Sequence, residues 1–196
     1  MDVTLDGEFF CKITLKIPGV HNLTNALAAT AASIAIGISA KAIESGLGGY
    51  TGVGRRFEYK GSYNGADVYD DYAHHPCELK ALLDAVSALD DYKRVILAFQ
   101  PHTYTRTKAF FNEFAAELKR PDFTFLAEIF AAREKNDIGI SSSELAEAVP
   151  GARCCPEFSR MIKEISAIAR EGDIILTVGA GDIYKVGEAL VEGAAN

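Results

Sequence analysis

From Pro76 onward the sequence alternates two periodicities, and this restricts the fold more than any other feature of the chain. Helical patterns at 78–89, 105–118, 143–149, 157–168 and 183–191 are separated by short apolar runs at 94–99, 123–126, weakly around Arg153, and at 174–178. Runs of that length are strands. Parallel strands need long crossovers, and helices in the crossovers cover the sheet, so the expected class is α/β: a Rossmann-like, mostly parallel sheet with helices on both faces. Ligands of such sheets lie beyond the carboxyl ends of the strands. The residues there are Asp70-Asp71-Tyr72-Ala73-His74-His75, Gln100-Pro101-His102, Glu128-Ile129-Phe130 and Gly179-Ala180-Gly181-Asp182.

The first quarter of the chain reads differently. Phe9, Cys11, Ile13, Leu15 and Ile17 alternate with Glu8, Phe10, Lys12, Thr14 and Lys16, which predicts one strand over 8–17 with a wet face. Pro18 and Gly19 end it, Asn22 suits the cap of an alanine-rich helix over 23–36 closed by Gly37, and a short helix over 39–45 follows. Gly46, Gly48, Gly49, Gly52 and Gly54 form the densest glycine cluster and read as a linker. Beyond it, strands at 57–60 and 66–69 flank Asn64-Gly65, a strong hairpin signal. With 196 residues there is room for one domain plus part of another, and the boundary is placed near Gly52. A strand and two helices cannot bury both their faces, so residues 1–50 are expected to expose apolar surface.

Composition excludes several classes. A net charge of −7 is the wrong sign for a nucleic-acid surface, although a few local donors suffice for an anionic nucleotide. No apolar run is long enough to span a bilayer, the first ten residues lack the pattern of a signal peptide, and a cytoplasmic location with no membrane partner is expected. Cys11, Cys77, Cys154 and Cys155 have no metal-ligand spacing and read as reduced thiols.

Four motifs have chemical potential, each with a plainer alternative. Gly179-Ala180-Gly181-Asp182 opens a helix after a strand, which suits an anion or merely tight strand-to-helix packing. The segment 70–76 gathers two carboxylates, a phenol and two imidazoles, for substrate or nucleotide contact, for capping, or for a metal, which the divergence of adjacent histidines disfavours. Arg55 and Arg56 suit phosphate, or are a solvated basic pair; His102, Arg106 and the helix start between them suit a carboxylate, or form a capping turn. Asn25 lies one turn inside a helix, where capping does not explain it and its paired donor and acceptor match a base edge.

In this order, GVHNLTNALAA, GVGRRFE, DDYAHHP, FQPHTYTRT and GAGDIY resemble the C-terminal part of the Mur ligases over essentially the whole chain. The resemblance implies a three-domain ATP-dependent ligase binding UDP-sugar, ATP and amino acid on its N-terminal, central and C-terminal domains. Residues 1–52 would then be the tail of the central domain and 53–196 the C-terminal domain. DDYAHHP together with FQPH favours the member that joins L-alanine to UDP-N-acetylmuramate in peptidoglycan precursor synthesis; the member attaching a ready-made tripeptide is the nearest competitor. Neither the GxxGK[ST] phosphate loop nor the magnesium-holding groups expected of the central domain occur in these residues, so the chain alone should be inactive, with ATP and magnesium as cofactors of the whole enzyme and no metal held here.

Carried over residue by residue, the resemblance implies that Asn25 contacts adenine with His21 and Asn22 nearby. Arg56 reaches the ATP phosphates and Asp71 the ribose or phosphate side. Tyr72, His74, His102 and Arg106 line the amino-acid pocket, Arg106 holding the alanine carboxylate, with Arg56 and His74 as the catalytic pair. Thr103 departs from the pattern, since many relatives carry an arginine there. Two other classes stay open at this point: a free-standing nucleotide-binding module, and a dinucleotide oxidoreductase, disfavoured because no GxGxxG follows the first strand.

Overall fold

The computed structural model describes residues 1–194 and divides into two compact units, Met1–Val53 and Gly54–Asn196. In the first, β1 (Asp2–Leu5) and β2 (Glu8–Lys12) form an antiparallel hairpin. Its turn residues, Asp6 and Gly7, both have positive φ (52° and 87°), the conformation that joins right-twisted strands tightly. The single strand expected over 8–17 is therefore a shorter one with a partner. The register shifts so that Val3 faces Cys11 but Thr4 faces Phe9. Phe10 is the extra residue of that bulge, which turns it partly inward and leaves Phe9 66% exposed, the reverse of the simple alternation.

Helix α1 (Val20–Ala35) starts on Gly19, not on Asn22. Gly19 has φ 104°, and a Cβ there would stand 2.6 Å from the His21 ring, so only glycine fits the approach to the helix. Asn22 lies within the first turn and donates from Nδ2 to the Pro18 carbonyl at 2.6 Å. Helix α2 (Ala40–Gly49) is capped by Ser39 and runs through Gly46 and Gly48, so most of the supposed linker is helical. Each glycine costs a helix about 1 kcal/mol relative to alanine, but burial of Ile43 and Leu47 against Cys11 and Ile13 holds the helix. At the two ends of α1, Val20 (78%) and Ile36 (77%) stay exposed.

The second unit is a six-stranded sheet in the order β3-β4-β8-β5-β6-β7. β3 (Glu58–Tyr63) and β4 (Ala66–Asp71) are antiparallel across Asn64-Gly65, whose φ values of 51° and 77° fit the expected turn. β5 (Arg94–Phe99), β6 (Phe123–Leu126), β7 (Arg153–Cys154) and β8 (Asp173–Val178) continue the sheet in parallel. Alternate residues of β5 enter opposite cores. Leu97 and Phe99 meet α3 (Pro76–Ser87), α5 (Phe111–Leu118) and α6 (Ser142–Glu147); Ile96 and Ala98 meet α7 (Phe158–Ile168) and α8 (Tyr184–Ala194). The expected α/β class with both faces covered is what the structure has.

Two helices differ from expectation at their ends. α3 begins at Pro76, where a missing N–H costs nothing, and is capped reciprocally by His75 and Glu78. The helix expected over 105–118 is two, α4 (Tyr104–Ala109) and α5, broken at Phe110 (φ −114°, ψ 30°), whose ring packs edge-on against His75 at 4.5 Å.

Candidate functional site

Because β4, β8, β5 and β6 are neighbours, the segments that follow them share one edge of the sheet. At the β4 end, Asp71 is buried; one carboxylate oxygen accepts the Ala73 N–H at 2.7 Å and the other the Phe57 N–H at 2.8 Å. Burial pushes its carboxyl up, against the pull of those bonds and of Arg56. Asp70, 1% exposed, accepts from Arg55 Nε at 2.9 Å and from the Thr177 hydroxyl at 2.8 Å. Arg55 also donates from Nη2 to the Gly179 carbonyl at 2.7 Å, and its guanidinium lies over the rings of Tyr72 (5.0 Å) and Tyr184 (4.7 Å). Arg56 differs. It is exposed, lies 5.5 Å over the Tyr72 ring, and has no hydrogen bond or ion pair among the described residues.

The imidazoles of His74 and His102 come within 5.7 Å of each other, and Tyr72 packs edge-on to His74 at 5.3 Å. His74 Nδ1 is 2.9 Å from the Tyr72 carbonyl and 3.4 Å from the Glu78 carboxylate. His102 stacks on Phe130, and Arg106 Nη1 approaches both His102 Nδ1 (3.2 Å) and the His102 carbonyl (3.4 Å). Burial, the Arg106 charge and His74 hold the His102 imidazole below its ordinary pKa, so Nδ1 acts as the acceptor of the Arg106 N–H. Between them Thr103 has φ 69°, a costly conformation for a β-branched residue, fixed by its N–H to Phe130 and its carbonyl to Thr107. Arg56, Asp71, Tyr72, His74, His102 and Arg106 thus gather at one edge.

In two of the motifs the plainer alternative is the one the contacts favour. The backbone donors at the start of α4 do not remain for an incoming carboxylate, because Glu134 accepts the Thr105 N–H at 2.9 Å and the Thr105 hydroxyl. The segment Gly179-Ala180-Gly181-Asp182 is a packing device: Gln100 Oε1 already accepts the Asp182 and Ile183 N–H groups, and a Cβ on Gly181 would collide with Gln100 and with the Phe130 ring at 2.8 Å. His21, Asn22 and Asn25 lie on α1 of the first unit, where Asn22 and Asn25 line a cavity of about 330 Å³ with Leu15, Ile17, Leu47 and Tyr50. No group of three His, Cys, Asp or Glu side chains able to hold a metal occurs among the described residues.

The profile described as Mur ligase, glutamate ligase domain, matches residues 55–181, most of the chain and the edge just described as far as Gly181. The chain belongs to the Mur ligase family. Similar members include the UDP-N-acetylmuramate–L-alanine ligases of Acetivibrio thermocellus (45% identical over 97% of this chain and 41% of that protein) and Lachnospira eligens (46% over 96% and 42%). The chain spans about two fifths of the length of these relatives. Among solved structures, the UDP-N-acetylmuramate–alanine ligase of Thermotoga maritima superposes with a TM-score of 0.79 at 27% identity, covering 96% of this chain and 41% of that one. A murein peptide ligase from Psychrobacter arcticus gives 0.67 at 26%, covering 94% and 39%.

Within this Mur ligase edge, the sequence had placed Gln100 and Phe130 at strand ends and Arg55 beside Arg56 without showing what each contacts, and it did not point to Glu134 or to Tyr184. Arg55 and Tyr184 sit inside the quoted motifs, so the motifs contained them without separating their roles. Gln100, at a strand end before Pro101, had a visible signal in its position. Phe130 likewise stood at a strand end, whereas Glu134 had no signal, since its partner Thr105 lies on another segment.

Proposed function

We propose that the chain is the C-terminal part of a UDP-N-acetylmuramate–L-alanine ligase, in which Gly54–Asn196 is the C-terminal domain and the first unit the end of an ATP-binding central domain. The observation that carries the reading is the pairing of two differently held arginines at one strand edge of a Mur ligase domain: Arg56, exposed and unpaired among the described residues, and Arg106, within hydrogen-bond distance of His102 Nδ1. Identity of 45–46% across nearly the whole chain to ligases of that name supports the substrate assignment.

In this reading the γ-phosphoryl group of ATP passes to the lactyl carboxylate of UDP-N-acetylmuramate. The amine of L-alanine attacks the acyl phosphate, and the tetrahedral intermediate collapses to the amide with loss of phosphate. Arg56 stabilises charge on the transferring phosphoryl group, a task that asks for position and fixed charge more than for covalent chemistry. Arg106 holds the alanine carboxylate by a charge-assisted bond, with His102, Tyr72 and His74 lining the pocket. His74 accepts or relays the proton lost from the amine, because its ring stands between Tyr72 and His102 and beside the Glu78 carboxylate. Asn25, with His21 and Asn22 beside it on α1, is assigned to adenine, and Asp71, whose carboxylate oxygens already accept the Phe57 and Ala73 N–H groups, serves the ribose or phosphate side through the turn it holds. Magnesium would accompany ATP; the carboxylates described here do not converge on a cation site, so no step is assigned to it.

The test is a pair of substitutions in the full-length protein. Arg106→Ala should raise KM for alanine and leave kcat within a few-fold, because the contact is made equally in ground and transition states. Arg56→Ala should lower kcat instead. If Arg106→Ala leaves the alanine dependence untouched while Arg56→Ala weakens only alanine binding, the assignments are wrong.

A further inference from the structure

Arg55 and Arg56 are adjacent, yet their surroundings are opposite. Every polar connection of the 55–57 turn runs to a carboxylate or a strand end. The Arg55 N–H donates to Glu58 at 2.7 Å, the Phe57 N–H to Asp71 at 2.8 Å, and the Tyr72 N–H to the Arg55 carbonyl at 2.7 Å. Arg55 and Phe57 both have positive φ, 60° and 48°, so two non-glycine residues on either side of Arg56 hold a conformation costing on the order of 1 kcal/mol or more each. Such a turn persists only where its surroundings over-determine it. The strongest fixture is the Arg55 guanidinium, held at Nε by a carboxylate with almost no exposure, at Nη2 by the Gly179 carbonyl, and flanked by Tyr72 and Tyr184. Asp70 is itself oriented by the Thr177 hydroxyl on the neighbouring strand. A buried charge with both oxygens bonded has one arrangement available, which makes it a rigid anchor.

We propose that Arg55 and Asp70 are positioning residues that act through Arg56: the buried Asp70 carboxylate locks Arg55 between Tyr72 and Tyr184, and the locked arginine fixes the strained turn that presents Arg56 beyond the strand ends. Consecutive residues of the same type thus have separate tasks, one structural cation paired with the protein and one left for an anionic ligand. The inference rests on the reading of Arg56 as a phosphate-contacting group, and its test separates the two.

In the full-length enzyme, Asp70→Asn and, as the variant safer for folding, Arg55→Lys each lower kcat on the order of 10- to 100-fold, the loss expected when a catalytic group is displaced by about 1 Å. KM for alanine stays within twofold. In combination with Arg56→Ala, neither lowers kcat further, since both act through the same side chain. Multiplying losses in the double variants, or a raised KM for alanine, overturn the proposal. A second readout uses this chain without catalysis. Backbone order at Arg56, measured by ¹⁵N relaxation, is about 0.85 in the parent chain and falls below about 0.6 in Arg55→Lys. If that fall occurs while Arg56→Ala leaves full-length turnover unchanged, the phosphate role of Arg56 fails and the positioning role survives. If Arg56 keeps its order in Arg55→Lys, the positioning role fails whatever the enzyme does.

Discussion

His102 sets the pH response of the candidate site at the scale of single residues. Its ring faces Arg106, His74, Glu134 and the Phe130 ring. Burial and the charges of Arg106 and His74 lower its pKa from the ordinary 6.5, and Glu134 works the other way. Between the depressed value and 6.5 the unfolded chain binds a proton that the folded one refuses. The stability that His102 contributes is therefore complete above that window and lost as pH falls through it. In a titration of the His102 ring followed by NMR, Arg106→Ala should move the midpoint upward toward the ordinary value; an unmoved midpoint would mean that the arginine charge is not felt. The residues themselves were largely legible, since polar groups at the ends of parallel strands are where ligands meet such sheets. What the sequence did not separate was Arg55 from Arg56, because burial against Asp70 and Gly179 is decided by segments far along the chain.

Among the elements, periodicity located the strands and helices of the second unit well, with β5 and β6 falling where the apolar runs predict. It failed where local chemistry competes with pattern. The Asp6-Gly7 turn hid a hairpin, the bulge at Phe10 reversed a face, and Phe110 divided a helix by packing on His75. The glycine cluster misled for a reason that can be measured. Gly46 lies inside α2 with open space around its missing Cβ, so Gly46→Ala should raise stability by about 0.5–1 kcal/mol, whereas a true linker glycine would give no change. Gly181→Ala is the opposite case. It forces a methyl into Gln100 and Phe130 and should cost about 1–3 kcal/mol, as overpacking does. Thermal melting of the two variants distinguishes them: a fall for Gly46→Ala would contradict the first reading and a rise for Gly181→Ala the second.

For the whole molecule, the α/β unit has filled cores on both faces of its sheet, while the small unit exposes large apolar side chains. Val20, Ile36 and Phe9 leave apolar area of the kind a neighbouring body covers, and the relatives of this chain are more than twice as long. No helix among the described residues is long and apolar enough to cross a membrane. The 196 residues contain the arginines and imidazoles proposed for closing on substrates but no GxxGK[ST] loop to cradle the phosphates, so catalysis should need both parts. The most direct measurement is phosphate release by the full-length protein and by this chain, with ATP, UDP-N-acetylmuramate and L-alanine omitted one at a time. Release is expected only from the full-length protein and only when all three are present, with no replacement of L-alanine by the murein tripeptide. Release by the chain alone, or full-length release that needs the tripeptide in place of L-alanine, would contradict it.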